Sequence, residues 1–516
     1  VAVGGGGGSG GSIPVDIDGS AEGDAGHFVG DPKTCQQAAA SKSYVGCDFW
    51  PTVTANSVWD IFDYTVVVAN TQDTPAQVEI EKNGAVVAQG TVAANSLEKF
   101  YLPWVPELKG PAVDSCGYLN QVLSTSVRVP GGAYHLTSSV PVTVYQFNAL
   151  EYKGEGGPPG KDWSTCPGNT CPGMTCLSYS NDASLLLPST VLTGNYRITG
   201  MRGWPLGAVP PYFTVTGTKN GTSVSVKVAG TGQVTAGNGV TQTAANGVLQ
   251  FSIDRGEVVQ VVGTPETDLS GSLVQASAPV QVITGMACVY LPFANKACDH
   301  IEESVFPAET LGKHYVVTRP TGPNGDTPGH MVRIYGNVDG TKLQYSPVKP
   351  PNAPDTLSAG DVIDLDIVTQ DFEVSGDHEF AVASFQLGAT IVDPNTAYNL
   401  QKGDPSQSML TAVEQYRKKY VFLAPDDYDV NYVDIVLPQG AKVTLDGVDV
   451  SVTSSAIASG FSVARLQLGP GVDGNHVLES DVPVGIQVMG YGWQTSYQYP
   501  GGSNLLSIAP PPPPIE

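Results

Sequence analysis

DLSGSLVQASAPVQVITGMACVYLPFANKACDHIEESVFPAETLGKHYVV, residues Asp268–Val317, is the stretch whose reading decides the fold. From Ser272 to Gly285 apolar and polar residues alternate in two short runs parted by Ala278-Pro279, the pattern of strands with one buried face. A loop bracketed by Cys288 and Cys298 follows, and then an opening strand that ends in Tyr315-Val316-Val317. The stretch therefore reads as a joint, where one β module closes and the next begins.

Weaker copies of both halves of the joint recur. The closing phrase appears as LTSSVPVTVYQF (Leu136–Phe147), VQASAPVQVITG (Val274–Gly285), VSGDHEFAVASF (Val374–Phe385) and LESDVPVGIQVM (Leu478–Met489). Three of these carry Pro-Val, at Pro141, Pro279 and Pro483, where a missing backbone donor suits a strand start or edge. The opening phrase appears as LLLPSTVLTGNYRI, SVFPAETLGKHYVV and MLTAVEQYRKKYVF, with WPTV as a shorter form.

Between opening and closing, each module offers two strands and a turn. Tyr64–Ala69 is expected to pair as a hairpin with Ala76–Glu81. Tyr212–Thr218 is expected to pair with Ser223–Val228 through Lys219-Asn220-Gly221, and Val332–Tyr335 with Lys342–Tyr345 at Asp339-Gly340. Val433–Leu437 with Ala441–Leu445, turning at Pro438-Gln439-Gly440, completes the set. Asn-Gly and Asp-Gly supply the positive φ that tight turns need.

The expected class is all-β, as four tandem immunoglobulin-like β-sandwich modules of about 100 residues each. A β-propeller built from the same repeats is the alternative; the repeat is about twice the usual blade length, which favours sandwiches. The expected boundaries are a Gly-rich and acidic tether at 1–34, then module 1 at 35–178 with a Cys-rich insert. Module 2 follows at 179–298, module 3 at 299–398, module 4 at 399–505 and a polyproline tail at 506–516. The tail, Pro510–Pro514, reads as an extended spacer or stalk. Val1-Ala2-Val3, ahead of the poly-Gly run, is a candidate for strand addition to a neighbouring subunit.

Composition agrees with many short strands and turns: of 516 residues, 60 are Gly, 40 are Pro and 14% are charged. The length calls for roughly three to five domains. A formal net charge of -24, from 25 Lys+Arg and 49 Asp+Glu, disfavours a nucleic-acid or anionic-lipid partner, since phosphate binding needs a basic surface. No apolar run reaches the roughly 18 residues a transmembrane helix needs.

Four phrases carry a family resemblance: SYVGCDFWPTV (Ser43–Val53), AYHLTSSVPVTVYQFNALEY (Ala133–Tyr152), SNDASLLLPSTVL (Ser180–Leu192) and CVYLPFANKACDHIEESVFP (Cys288–Pro307). With them the chain resembles the N-terminal region of IgGFc-binding proteins, a domain family of animal mucus proteins and of secreted or lipid-anchored bacterial proteins. YVGC near the start and NDASLLLP resemble the forms in Gram-negative predatory and social bacteria. The resemblance implies an extracellular or outer-surface location, and a lipid anchor upstream stays open.

All eight cysteines, Cys35, Cys47, Cys116, Cys166, Cys171, Cys176, Cys288 and Cys298, are expected in disulfides, as an oxidising compartment favours. Cys35 with Cys47 and Cys288 with Cys298 close short loops. Cys116 takes one of Cys166, Cys171 and Cys176, and the other two pair together. The spacing of these three does not suit zinc. Calcium needs about six to eight converging oxygens, which neither Asp426, Asp427, Asp429 and Asn431 nor Asp16-x-Asp18-Gly19 supplies as a full loop. No metal or cofactor is expected.

Gly7-Gly8-Ser9-Gly10-Gly11 matches GxSxG but lacks the strand and helix of a nucleophile elbow. His300 and His314 read as structural. Asn220-Gly221-Thr222 is a sequon that the turn explains. Trp50, Trp59, Trp104, Trp163, Trp204 and Trp493 read as packing between modules.

The chain thus reads as a non-enzymatic surface protein, a structural subunit of a homopolymeric fibre or sheath whose modules form a stiff rod. The alternatives are a monomeric adhesin for glycan or protein, and a glycosidase needing two carboxylates about 5–10 Å apart. Its partners would be copies of itself or extracellular protein and glycan.

Overall fold

The computed structural model describes residues 31–516, apart from 120, 173–174, 179–180, 295–297, 451–454, 458–459, 470 and 472–473. Residues 1–30 of the tether, with its acidic stretch, the GxSxG match and the strand-addition segment Val1-Ala2-Val3, lie outside the described residues.

The protein is all-β, with sheets joined by short turns. Sixteen strands form four antiparallel sheets of one common order. The first holds β1 (Tyr64–Asn70), β2 (Leu97–Leu102), β3 (His135–Phe147) and β4 (Ala183–Leu185). The second holds β5 (Pro211–Gly217), β6 (Val258–Val262), β7 (Val280–Val289) and β8 (Asp299–Ser304). The third holds β9 (His330–Gly336), β10 (Val362–Val368), β11 (Phe380–Phe385) and β12 (Gln407–Met409). The fourth holds β13 (Val430–Pro438), β14 (Phe461–Gln467), β15 (Asn475–Gly492) and β16 (Thr495–Pro500). In each sheet the last strand pairs with the third, the third with the first, and the first with the second.

A second, outer layer covers each of these inner sheets. In the second unit it is Val248–Ile253, Thr222–Lys227, Leu273–Ala276 and Asn195–Arg197. The recurring closing phrase is where the chain passes from outer to inner layer. Leu273–Ala276 lies outside and β7 inside, with Pro279 between them. In β3, Leu136–Ser138 bond the outer strand Ala76–Lys82 while Val142–Phe147 bond β1, so Pro141 marks the crossing. Proline suits a position where the ladder on one side ends before the next begins.

The expected hairpins are corrected by this layering. Gly221, Gly340 and Gly440 do take positive φ, at 66°, 74° and 87°. The strands on either side of each turn do not pair with each other, however: β5 pairs with β6 and β7, whereas Thr222–Lys227 pairs with Val248–Ile253 and Leu273–Ala276. Likewise β1 pairs with β2 and β3, not with Ala76–Lys82. The inner strand is buried on both faces and the outer strand on one, and folding the two across a shared core buries their facing sides together, which a flat hairpin cannot do.

The units close into a ring rather than extend as a rod. The four last strands meet at the centre: β4 packs on β8, β8 on β12, β12 on β16, and β16 on β4. This is a propeller-like arrangement of the inner sheets of four sandwiches, and it joins the two architectures the repeat pattern left in competition. The apolar cores fuse across the joints; Val67, Tyr145 and Phe147 of the first unit share one cluster with Tyr420, Val433 and Tyr499 of the fourth.

The segments around Tyr44 and Ser503 meet where the first and fourth units adjoin. Tyr44 N–H donates to Ser503 O at 3.1 Å, and Leu505 N–H to Lys42 O at 2.7 Å. The tail then runs back over the second unit, where Gln275 Nε2 donates to Pro513 O at 3.1 Å and Gln275 Oε1 accepts from Ile515 N–H at 2.7 Å. It is held there, rather than projecting as a stalk.

Gly502 has φ +146°, and a Cβ added there would meet the Tyr44 ring at 2.5 Å. Gly502→Ala should therefore cost about 1–3 kcal/mol of stability through overpacking at the closure. Urea unfolding measures this, and an unchanged midpoint would contradict the closure described.

Candidate functional site

The residues with the most unusual chemistry lie on and around the axis. Strands that point at one another across a closed ring must either present apolar side chains or pair their polar groups completely. These strands pair their backbone N–H groups through one acid, while several buried side-chain atoms, among them Gln407 Nε2, Gln407 Oε1 and Gln498 Oε1, have no protein partner among the described residues. Asp182, just before β4, is fully buried and accepts N–H groups from all four axial strands. Its Oδ1 takes Ala183 N–H at 2.9 Å and Gln498 N–H at 3.4 Å; its Oδ2 takes Glu302 N–H and Gln407 N–H, each at 3.0 Å.

Burial raises the Asp182 carboxyl well above the usual carboxylate range despite the opposing pull of the N–H groups of Gln407, Glu302 and Ala183. The four N–H donors already occupy both oxygens, so the geometry favours the ionised form against that burial.

Further acids surround the hub. Asp299, with Oδ2 bonded to Thr495 Oγ1 at 3.2 Å, and Asp404 are buried and interact strongly, and burial raises both. The two cannot both ionise at low cost, so the pair retains a proton. Glu303, also buried, is raised by desolvation.

Each joint between neighbouring units carries its own polar lock, buried at three of them and partly exposed between the fourth and first. Between the first and second, Glu302 accepts from Thr54 Oγ1 at 2.7 Å and Gln146 Nε2 at 3.2 Å, and His300 Nε2 stands 2.8 Å from Asn148 Nδ2. Between the second and third, Arg333, 2% exposed, pairs with Asp268 and Asp364 at 2.5 Å each and donates to Gly200 O. Between the third and fourth, Asp434 accepts from Thr321 Oγ1 at 2.5 Å and from its N–H at 2.9 Å. Burial lifts Asp434 to about 6 against the pull of Arg465.

Between the fourth and first, Lys99 pairs with Asp427 at 2.7 Å, Tyr152 Oη donates to Asp429 at 2.5 Å, and Lys153 and Lys402 also reach Asp429. The acidic loop noted in the sequence is thus neutralised by lysines.

The sequence-predicted site residues fall elsewhere. Disulfides join Cys35 to Cys47, Cys116 to Cys171, Cys166 to Cys176 and Cys288 to Cys298, each within one unit. Trp50, Trp59, Trp163 and Trp204 are buried, and Trp104 and Trp493 half-buried. His314 pairs with Glu373 at 3.0 Å. Asp182, Arg333 and Asp434 escaped the sequence reading. The available signal was charge inside otherwise buried strand phrases, as in NDASLLLP and DHIEES.

A propeller axis can host paired catalytic acids. Here Asp299 and Asp404 are 0% and 1% exposed, so substrate has no access to them. A cleft of about 210 Å³ in the fourth unit is lined by Ile435, Leu437, Val443 and Ala464 among others, with no titratable side chain. Among the described residues no group of three or more His, Cys, Asp or Glu is placed to hold a metal ion, and no helix is long and apolar enough to cross a membrane.

A model of the IgGFc binding protein family matches residues 182–490, beginning on the hub aspartate itself. The human IgGFc-binding protein is 27% identical over 340 residues, which are 65% of this chain and 6% of that protein. The chain thus spans a small part of that relative's length. Among solved structures, an anti-sigma factor domain-containing protein from Clostridium clariflavum aligns over 60% of this chain and 81% of its own. Its identity is 11% and its TM-score 0.11, too low to bear on the fold.

Replacing Asp182 strands several buried N–H groups at about 1–3 kcal/mol each, so Asp182→Ala should lose about 4 kcal/mol or more. Asp182→Asn should be nearly as harmful, because its NH2 group faces N–H donors. Urea unfolding of both variants checks this; an Asn variant within about 1 kcal/mol of the parent would contradict the hub.

His330 is fully buried, with Nδ1 2.7 Å from Ser384 Oγ; burial pushes its pKa from 6.5 to about 3, with Asp371, Arg319 and Arg465 as the facing charges. Its stabilising effect is full above about pH 6.5 and drains as pH falls toward 3, because the unfolded imidazole takes up a proton first. His330→Gln should flatten the fall in urea midpoint between those values; an unaltered slope would contradict it.

Proposed function

Because the chain belongs to the IgGFc-binding protein family, we propose that it is an extracellular binding protein that engages another protein through the outer loops and edges of its ring. The observation that carries this reading is the state of the axis: its acids are buried out of reach of any protein partner, which leaves the exterior for recognition. Four disulfides suit an oxidising compartment. The finer placement, on the outer surface of a Gram-negative bacterium, rests on the YVGC and NDASLLLP phrases and belongs to the same proposal. Sugar stacking has little support, since none of the six tryptophans is exposed.

Self-assembly into a fibre or sheath is the second reading, and one edge favours it. The strand Ala85–Val92, AVVAQGTV, pairs only with Ala76–Lys82 among the described strands; it carries no charge and exposes Val86 and Val87 at 48% and 46%. Uncharged open edges invite pairing with another chain.

Sedimentation velocity separates the two, with the human IgG Fc fragment as the first protein probe, chosen from the relative's name. The binding reading expects a single species for the chain alone and a saturable Fc complex with Kd of about 1 μM or tighter. Fc sedimenting unchanged at about 100 μM chain would contradict Fc as the partner. Concentration-dependent growth of the chain alone, lost in Val87→Lys, would favour assembly instead.

A further inference from the structure

The four N–H groups gathered by Asp182 mark one level of the axis, set by Ala183, Glu302, Gln407 and Gln498. Three residues before the last three of these stand Asp299, Asp404 and Thr495, and two before the first stands Asn181. Each unit thus brings one oxygen-bearing side chain to the neighbouring level, and all four are buried. Their contacts converge on the start of β16. Thr495 Oγ1 donates to Asp299 Oδ2 at 3.2 Å and stands 3.5 Å from Asn181 Oδ1. The next residue, Ser496, gives its hydroxyl proton to Asp404 O. Asn181 Nδ2 is committed to Ala149 O at 2.6 Å, which leaves the amide oxygen on the Thr495 side.

Two carboxylate oxygens at this level have no protein donor. Asp299 Oδ1 and Asp404 Oδ1 are fully enclosed, and among the described residues neither accepts a hydrogen bond. Tyr428 Oη is likewise enclosed without a partner, and Asp299 is the charge that acts on it most. Other acids of the ring are fully answered. Both oxygens of Asp182, of Glu302 and of Asp434 are taken by N–H or O–H donors. An open carboxylate oxygen in a dry interior is costly until a proton or a cation meets it.

We propose that Asp299, Asp404, Asn181 and Thr495 hold one calcium ion on the axis, so that the four units share an ion as they share Asp182. The donors are all oxygen, with no nitrogen or sulfur, which suits a hard cation rather than zinc or copper. Two carboxylates balance a divalent charge. Only two of the four ligands are acids; amide and hydroxyl oxygens make up the rest, and water fills the remaining positions. Side chains of unequal reach from four separate strands fit the variable geometry of calcium better than the strict octahedron of magnesium. Without the ion the two acids share a proton, which calcium displaces.

Equilibrium dialysis and thermal unfolding of the full chain test the proposal, with calcium chloride as the probe in about 0.15 M sodium chloride, which screens the acidic surface. The parent should take up about one calcium per chain with Kd of about 0.1 mM. Calcium at about 10 mM, roughly 100-fold above that Kd, should raise the unfolding midpoint by about 2–4 °C over an EDTA-treated sample. Magnesium chloride at equal concentration should not. Asp299→Asn and Asp404→Asn should each abolish the uptake and the rise. If the acids hold only a proton, the parent shows no saturable uptake and no rise, which would overturn the site. Uptake unchanged in both Asn variants would place the calcium on the acidic surface, as an adventitious ion only, and would overturn it as well. Should neither Asn variant fold, Thr495→Val decides: it should bind calcium more weakly than the parent, and equal affinity would contradict the proposal.

Discussion

One carboxylate bound by the backbones of four strands is the constraint on which the structure depends. Asp182 takes N–H groups from β4, β8, β12 and β16, so no unit can leave the ring without stranding a buried donor and part of a buried charge. Apolar contact alone would let neighbouring sheets slide, because it is non-directional. The hub fixes register; the fused cores around it supply the bulk of the stabilisation. The polar locks at the four joints repeat the logic at longer radius, each with a different set of residues.

Much of the local architecture was legible from sequence, and most of the long-range architecture was not. Pro141, Pro279 and Pro483 flagged a recurring break, because the need for an unpaired backbone position is local. Positive φ at Gly221 and Gly340 was equally local. Which strands pair across a turn is a non-local matter, and adjacent alternating strands were read as hairpins although they face each other across a core. The joint Asp268–Val317 was read as the end of one unit and the start of the next. The structure adds that its middle, Asp299–Ser304, pairs backward with β7 and also faces the axis. Asp182 could not be found as a hub, since three of its four donors are 120 to 316 residues away in sequence. Acids in a β-rich chain with net charge -24 look like surface until neighbours bury them.

The same arrangement accounts for the perturbed acids of the interior. Buried carboxyls such as Asp299, Asp404 and Glu303 have perturbed protonation, which elsewhere would mark a catalytic centre. Here the perturbation follows from closing a ring of polar strands. A rigid ring presents its outer strands and loops in fixed mutual geometry, which reduces the ordering cost of engaging a large partner. The oxidised cysteines stiffen loops within single units and leave the joints to polar locks and shared cores.

The central claim is that the four units form one cooperative body through the axis. Native-state hydrogen exchange at the amides of Glu302, Gln407 and Gln498 tests it most directly. These three donors lie in different units but share one acceptor. The account predicts that they exchange only through global unfolding, with a common free energy and a common urea dependence. Separate opening energies, with any one of the three released while the others stay protected, would contradict it.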